Sequence, residues 1–202
     1  MYLNPAYQSE EGFGHFFLFA GIFLTGSFMI QYSQLFLSWN SSSYDFFLTK
    51  KSGVEALVKG KFLLFAFISV LCFLLTLPYV YFDSAILLIH LAGLCFNIGV
   101  TMPMLALLAS WKPKPMDINK GAMFNYEGVG IMQFMMIIPI GVTPYLIYFP
   151  FVLFGAGQVA GLWAVTAVGL LGILLLPLST RAFSQYLWKN RYSISASFRQ
   201  EL

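Results

Sequence analysis

Polar side chains follow one face of a long apolar run near the middle of the chain. His90, Gly93, Asn97 and Thr101 are spaced by three and four residues, so on a helix they form one stripe. A polar stripe inside an apolar helix faces protein or water rather than lipid. These residues are therefore a candidate intramembrane site, acting either in hydrogen bonds between helices or along a substrate or proton path. No carboxylate lies in an apolar run to pair with His90, which argues against a proton relay.

A second polar pair, Gln31 and Gln34, lies three residues apart at the end of the first apolar run. On a helix the two amides share a face. The same two roles are open to them, either packing against another helix or lining a polar path.

The sequence offers few residues for a metal, redox, nucleophilic or nucleotide-binding site. Cys72 and Cys95 lie in apolar runs, as small hydrophobes do, and His15 and His90 are the only histidines. The sequence has no metal-ligand spacing and no nucleophile with its base. The pair Gly128 and Gly130 lacks the third glycine and the preceding strand of a phosphate-binding loop. We expect no catalytic residue, no metal, no cofactor and no enzymatic activity.

The composition is that of an integral membrane protein. The 202 residues are 59% hydrophobic and 9% charged, with a mean hydropathy of +0.77, against about 25% charged residues in soluble domains. The sequence predicts an all-α fold, a polytopic bundle in a single transmembrane domain (1–202), because the apolar runs are about 20 residues long without strand-like alternation. The five predicted spans cover about residues 16–37, 62–82, 85–109, 129–149 and 159–178.

Charge sets the orientation. The polar stretches 38–61, 110–128 and 179–202 hold four, three and four of the eleven Lys and Arg residues, and the other side carries only Glu10, Glu11 and Asp83. The positive-inside rule therefore predicts an N-terminus outside and a C-terminus in the cytoplasm. An outside N-terminus without a signal peptide is expected of the C-terminal part of a longer permease, or of a five-span protein inserted in this orientation.

Local signals add three expectations. Pro139 and Pro144 should kink or break the fourth span near its middle. The uncharged connector after Pro150 is expected to dip back into the bilayer, and the tail from Arg181 onward to lie on the membrane surface.

The stretch 38–61 mixes charges with apolar residues, which a plain linker does not need. This pattern is typical of one or two short helices at a membrane surface, including an apolar one with Val54, Leu57 and Val58. We expect it to be the surface on which a partner docks.

The order of span, basic surface stretch and next span resembles the membrane-spanning subunits of type-two ATP-binding-cassette exporters. The matching residues are Lys50 and Lys51, in the basic turn, and Gly60 and Lys61, which open the next span. The chain departs from that family by having five spans rather than six and by lacking acidic residues before the coupling element, where Ser41 to Tyr44 stand.

A closer resemblance, over nearly the whole chain, is to a poorly characterised bacterial permease-like family of the same class. It lies in the strings FMIQYSQ, YDFFLTKK, PYVYF, FNIGV, DINKGA (117–122) and FNYEG (124–128).

The resemblance implies a permease component of an ATP-driven exporter in the bacterial cytoplasmic (inner) membrane. Phe46, Phe47 and Leu48 would form the apolar docking face for the ATPase, with Lys50 and Lys51 as its rim and Gly60 and Lys61 as the end of the coupling element. Because the sequence has no Walker-type loop, the ATPase must be a separate chain. Expected partners are that ATPase, a second permease in a homo- or heterodimer, and membrane lipid, but no nucleic acid. The alternatives are a non-transporting scaffold or assembly factor, an intramembrane enzyme using His90, and a secondary transporter.

Overall fold

The computed structural model describes residues 13–111, 113–116 and 135–199, and all regular elements within these ranges are helical. The helices are α1 (Phe13–Ser33), α2 (Tyr44–Leu48), α3 (Gly53–Thr76), α4 (Ala85–Phe96), α5 (Met102–Ala109), α6 (Thr143–Leu153), α7 (Gln158–Leu174), α8 (Leu176–Lys189) and α9 (Arg191–Arg199). Short 3-10 helices cover Ser38–Ser43 and Leu77–Tyr81, and π-helical turns cover Asn97–Thr101 and Ile138–Val142. The predicted all-α class is confirmed for this part of the chain.

Several helical segments are suited to a membrane. Three are long and apolar enough to cross a bilayer, namely His15–Ser33, Gly53–Tyr81 and Ala85–Ala109. Helices α7 and α8 provide a fourth if the pair, bent by 60°, is counted as one span. The segment Ile138–Leu153 is apolar but shorter. The described residues therefore form a helical bundle with three or four candidate membrane spans. The predicted number of five spans stays a prediction.

Helix α3 begins at Gly53, well before the predicted start of the second span at residue 62. Val54, Leu57 and Val58 are buried at helical spacing, and Glu55 pairs with Lys59 one turn later at 2.6 Å. Both features extend the helix toward the N-terminus. The expectation of a separate short apolar helix here is wrong, because these residues form the first turns of α3.

The proline-rich region agrees with the prediction in part. Pro139 lies in the π-helical turn, and Pro144 in the first turn of α6, so the regular helix is interrupted where the prolines predict. After Pro150, α6 continues to Leu153 and residues 154–157 connect it directly to α7, and the expected dip into the bilayer stays a prediction. Gly155 and Gly157 allow this short turn with φ values of 79° and 88°.

Helix α4 lies at the centre of the bundle, between α1 and α7. It approaches α1 closely where Gly21 faces Gly93. A Cβ atom on Gly21 would lie 2.6 Å from the carbonyl oxygen of Ile89, and one on Gly93 would lie 2.5 Å from the backbone of Gly21. Only glycine fits at this crossing, as in other membrane helix pairs that pack through small residues.

Helix α8 packs on the beginning of α3 through aromatic rings. The Phe183 ring lies 5.5 Å from that of Phe36 and 6.1 Å from that of Phe62, measured between ring centres. All three side chains are buried. The cluster therefore joins the end of α1, α3 and α8.

Candidate docking surface and intramembrane polar cluster

The three polar stretches of the sequence meet at one end of the bundle. The Ser41 hydroxyl accepts from the Met116 amide at 3.2 Å, and the Ser197 hydroxyl donates to the Pro113 carbonyl at 3.1 Å. Helix α9 also contacts α2 and the 3-10 helix before it. We call the surface formed by residues 38–52, 113–116 and 191–199 the polar end.

Asp45 connects α2 to α9. Its carboxylate accepts from the Arg199 guanidinium at 2.5 Å and from the Ser195 hydroxyl at 2.7 Å. The hydrogen bond from Arg199, and then that from Ser195, holds the pKa of Asp45 below its usual range. The side chains of Asp45 and Arg199 are 52% and 71% exposed, so the pair lies in water and contributes modestly to stability.

Tyr44 anchors the other face of α2. Its side chain is fully buried, and its ring meets that of Phe198 edge-on at 5.6 Å. Burial, and then the neighbouring Asp45 charge, raises the pKa of Tyr44 to about 12. Helix α2 is thus held by an aromatic contact and a charged one.

The predicted docking residues differ in exposure. Phe46 is 61% exposed, and the Lys50 ammonium lies 5.9 Å from the centre of its ring. Phe47 and Leu48 are half-buried and pack against the core. Lys51 is exposed beside the start of α3. Phe46 is therefore the most exposed apolar side chain of α2.

Gly60 and Lys61 lie within α3 rather than beside Phe46. Gly60 is exposed, and no atom lies within 4 Å of the place that a Cβ would take. The Lys61 side chain turns inward, where its ammonium donates to the Phe36 carbonyl and lies 4.8 Å from the centre of the Phe36 ring. In this structure Lys61 joins the end of α1 to α3.

The polar stripe of the third span is buried, as expected for protein-facing residues. His90, Asn97 and Thr101 are all at most 1% exposed. The Asn97 amide donates to the Ile22 carbonyl at 2.7 Å and to the Thr25 hydroxyl at 3.0 Å. Asn97 also opens the π-helical turn between α4 and α5. Its described contacts are hydrogen bonds between helices.

Gln31 and Gln34 are not buried with this stripe. Gln31 is exposed near the end of α1, and Gln34 is half-buried in the turn that follows. The structure thus brings His90, Asn97 and Thr101 into the bundle and leaves the two glutamines near its polar end.

Sequence reasoning did not find the contacts of Asp45. Ser195 and Arg199 lie 150 and 154 residues further along the chain, and no local spacing marks such a pair. The only signals were an acid in the first turn of α2 and a basic tail assigned to the same side.

The described residues include no group of three His, Cys, Asp or Glu side chains able to hold a metal ion. The strings 117–122 and 124–128, and the pair Gly128 and Gly130, lie outside the described ranges.

The fold and the polar end define the class as an all-helical protein with several membrane-compatible apolar helices. A model of a family of unknown function, DUF5687, matches residues 1–201, and the chain belongs to that family. No curated protein and no solved structure matches the chain.

Proposed function

We propose that this protein is the permease component of an ATP-driven exporter in the bacterial cytoplasmic membrane, and that a separate ATPase docks on the stretch 38–61. The observation that carries the proposal is α2, a five-residue helix between α1 and α3 with one face anchored by Tyr44 and the other presenting Phe46. A partner pressing on α2 acts on the helices at both of its ends. The working unit is a dimer of permeases with its ATPase.

The chemistry of α2 is suited to a protein partner. Aromatic side chains, phenylalanine included, are enriched in protein–protein interfaces. Here Phe46 is the aromatic group, and Lys50 lies over its ring. Lys51 adds a second cation to the rim.

Replacing Phe46 by Asp tests this docking. Phe46→Asp removes the exposed aromatic ring, together with its edge-on contact with the half-buried Phe47 ring at 5.8 Å, so we expect the ATPase to be lost from the purified complex. Tyr192→Asp is the matched control, because Tyr192 is an exposed aromatic residue of the polar end outside α2. Full co-purification with Phe46→Asp, or equal loss with both variants, would argue against docking on α2.

The proposal includes an N-terminus outside and the polar end in the cytoplasm. The hydrogen bonds that join the three basic stretches support a common side for them. Single cysteines at Ser42 and Ser84, both exposed, test it in a background with Cys72 and Cys95 replaced. A membrane-impermeant thiol reagent should label them from opposite sides, and labelling of both from one side would contradict the topology.

A non-transporting scaffold is the second candidate, favoured by the use of Asn97 in helix packing rather than in an open path. The two candidates differ in their response to nucleotide. A permease should change the distance between spin labels in α2 and α7 when its ATPase binds ATP, whereas a scaffold should keep that distance constant.

A further inference from the structure

A groove of about 630 Å³ opens between the start of α3 and one side of α8. Three cationic side chains line it, and they come from two parts of the chain. Lys51 stands before α3, while Arg181 and Lys189 belong to α8. Trp188 and Val54 supply apolar wall.

The groove carries surplus positive charge. Its acidic lining residue, Glu55, already pairs with Lys59 at 2.6 Å. Among the described residues Lys51, Arg181 and Lys189 form no ion pair. The described lining therefore carries three cations against one carboxylate, which Lys59 pairs and Arg181 also stabilises.

The start of α3 adds to this potential. Helix α3 has 24 residues, and the Ser52 hydroxyl at its N-terminus caps no backbone amide. The N-terminal end of a helix carries partial positive charge and amide donors that favour phosphate. Because the Gly53 amide already donates to the Lys50 carbonyl at 3.0 Å and Glu55 lies in the first turn, this contribution is smaller than that of the three side chains.

We infer that this groove binds the phosphate group of an anionic phospholipid at the surface of the membrane. Leu178, exposed one helical turn before Arg181, and the exposed Leu174 and Leu175 at the bend between α7 and α8 provide an apolar surface for the acyl chains. Trp188 lines the groove beside these cations, and tryptophan is enriched at the level of lipid headgroups in membrane proteins. A soluble anion would make no use of the leucines.

This site is distinct from ATPase docking, which rests on Phe46. Lys51 belongs to both surfaces, so the test leaves Lys51 intact. Arg181 and Lys189 are exposed and line the groove, and neither belongs to the proposed docking surface on α2.

The experiment uses the purified full chain in detergent and native mass spectrometry. Dioleoylphosphatidylglycerol, dioleoylphosphatidylcholine and inorganic phosphate are titrated separately. We expect the wild-type protein to prefer phosphatidylglycerol. The double variant Arg181→Gln/Lys189→Gln should weaken phosphatidylglycerol binding roughly 30-fold, since juxtamembrane cations each contribute substantially to anionic lipid binding. Circular dichroism checks that the variant keeps its helical content.

Lys50→Gln/Lys114→Gln is the matched control, because it removes two exposed cations of the polar end that do not line the groove. It should keep the lipid preference, and so should Phe46→Asp, whether or not that variant keeps the ATPase. Unchanged phosphatidylglycerol binding in the groove variant would overturn the inference. Binding of inorganic phosphate at the same concentrations would assign the groove to a soluble anion instead. If the Arg181→Gln/Lys189→Gln variant lost the ATPase but still bound phosphatidylglycerol, the groove would be assigned to the protein partner instead of to lipid.

Discussion

The Asp45 carboxylate and the Arg199 guanidinium meet at 2.5 Å across 154 residues of sequence. The contact ties the last described helix to the short helix that follows α1. Ser195 donates to the other oxygen of the same carboxylate, so one acidic side chain receives two hydrogen bonds from α9. Asp45 is therefore one of the contacts that attach α9, beside the Tyr44–Phe198 ring contact and the hydrogen bond from Ser197 to Pro113.

Replacing Asp45 by Asn should loosen α9. The substitution removes the charge that Arg199 and Ser195 share, so we expect the amides of α9 to exchange hydrogen roughly threefold to fivefold faster, the size expected for an exposed ion pair. Hydrogen-exchange mass spectrometry of peptides covering 191–199 measures this. Glu55→Gln is the control, because Glu55 is also a paired carboxylate near the polar end. Unchanged exchange in Asp45→Asn would mean that Tyr44 and Phe198 hold α9 without the charge.

Acid should loosen the same contact. The pKa of Asp45 is lower in the folded protein than its usual value near 4. Its contribution to stability is therefore present above about pH 4 and is lost as the pH falls through the lower folded pKa. Spin labels at Ser42 and Ala196, both exposed, should show a distance distribution that broadens below about pH 4.

Asp45→Asn resembles the protonated state, so its distance distribution should already be broad at neutral pH and should not change with acid. Glu55→Gln should keep the acid response. An equal response in Asp45→Asn would assign the titration to another group.

Gly26 and Asn97 should be energetically coupled. A Cβ atom on Gly26 would lie 2.8 Å from Cγ of Asn97, so Gly26→Ala should destabilise the bundle by about 1 to 3 kcal/mol through overpacking. Asn97→Ala should cost about 1 kcal/mol by removing the hydrogen bonds to α1. The double variant should lose less than the sum, because the shorter side chain at 97 leaves room for the methyl group.

Unfolding in mixed detergent, followed by circular dichroism, measures this cycle. Gly60→Ala is the control, since nothing lies within 4 Å of a Cβ at this helical position. It should be neutral or stabilising by up to about 1 kcal/mol. Strict additivity of the Gly26 and Asn97 substitutions would contradict the packing described here.

Lys61 and Lys50 should have separable effects. Lys61→Met removes the donor to the Phe36 carbonyl and should lower stability by about 1 to 2 kcal/mol, leaving ATPase co-purification intact. Lys50→Met should leave stability unchanged and weaken co-purification, because Lys50 lies over the exposed Phe46 ring. Thermal unfolding and pull-down of the same samples measure both. Loss of the ATPase with Lys61→Met at unchanged stability would return Lys61 to the docking surface.

Hydrophobic patterning predicted the helical class and some boundaries. The third predicted span, 85–109, agrees with the segment Ala85–Ala109. The start of this span was predicted correctly because Asp83 and Ser84 form a short polar turn just before it, which marks the boundary clearly. The stripe at His90, Asn97 and Thr101 was likewise readable, because helical spacing alone places the three on one face.

Other features depend on contacts that local patterns do not encode. Hydropathy runs unbroken from α7 past Leu175, yet the helix bends there by 60°; Pro177 was a signal for this bend. Lys61 and Lys50 are both lysines of the basic stretch 38–61, and the sequence does not distinguish them. The structure does, because the Lys61 ammonium donates to the Phe36 carbonyl. The apolar start of α3 was misassigned because a short amphipathic surface helix and the first turns of a long one have the same periodicity.

The unbroken course of α3 has a mechanical consequence. Its 24 residues make a rod of about 36 Å at 1.5 Å per residue, and four residues (49–52) separate it from the end of α2. A tilt of about 5° imposed at that end would move the far end by about 3 Å over such a length. Because α3 is one continuous helix from Gly53 to Thr76, a displacement of its first turn beside the polar end is expected to move the residues at its other end as well.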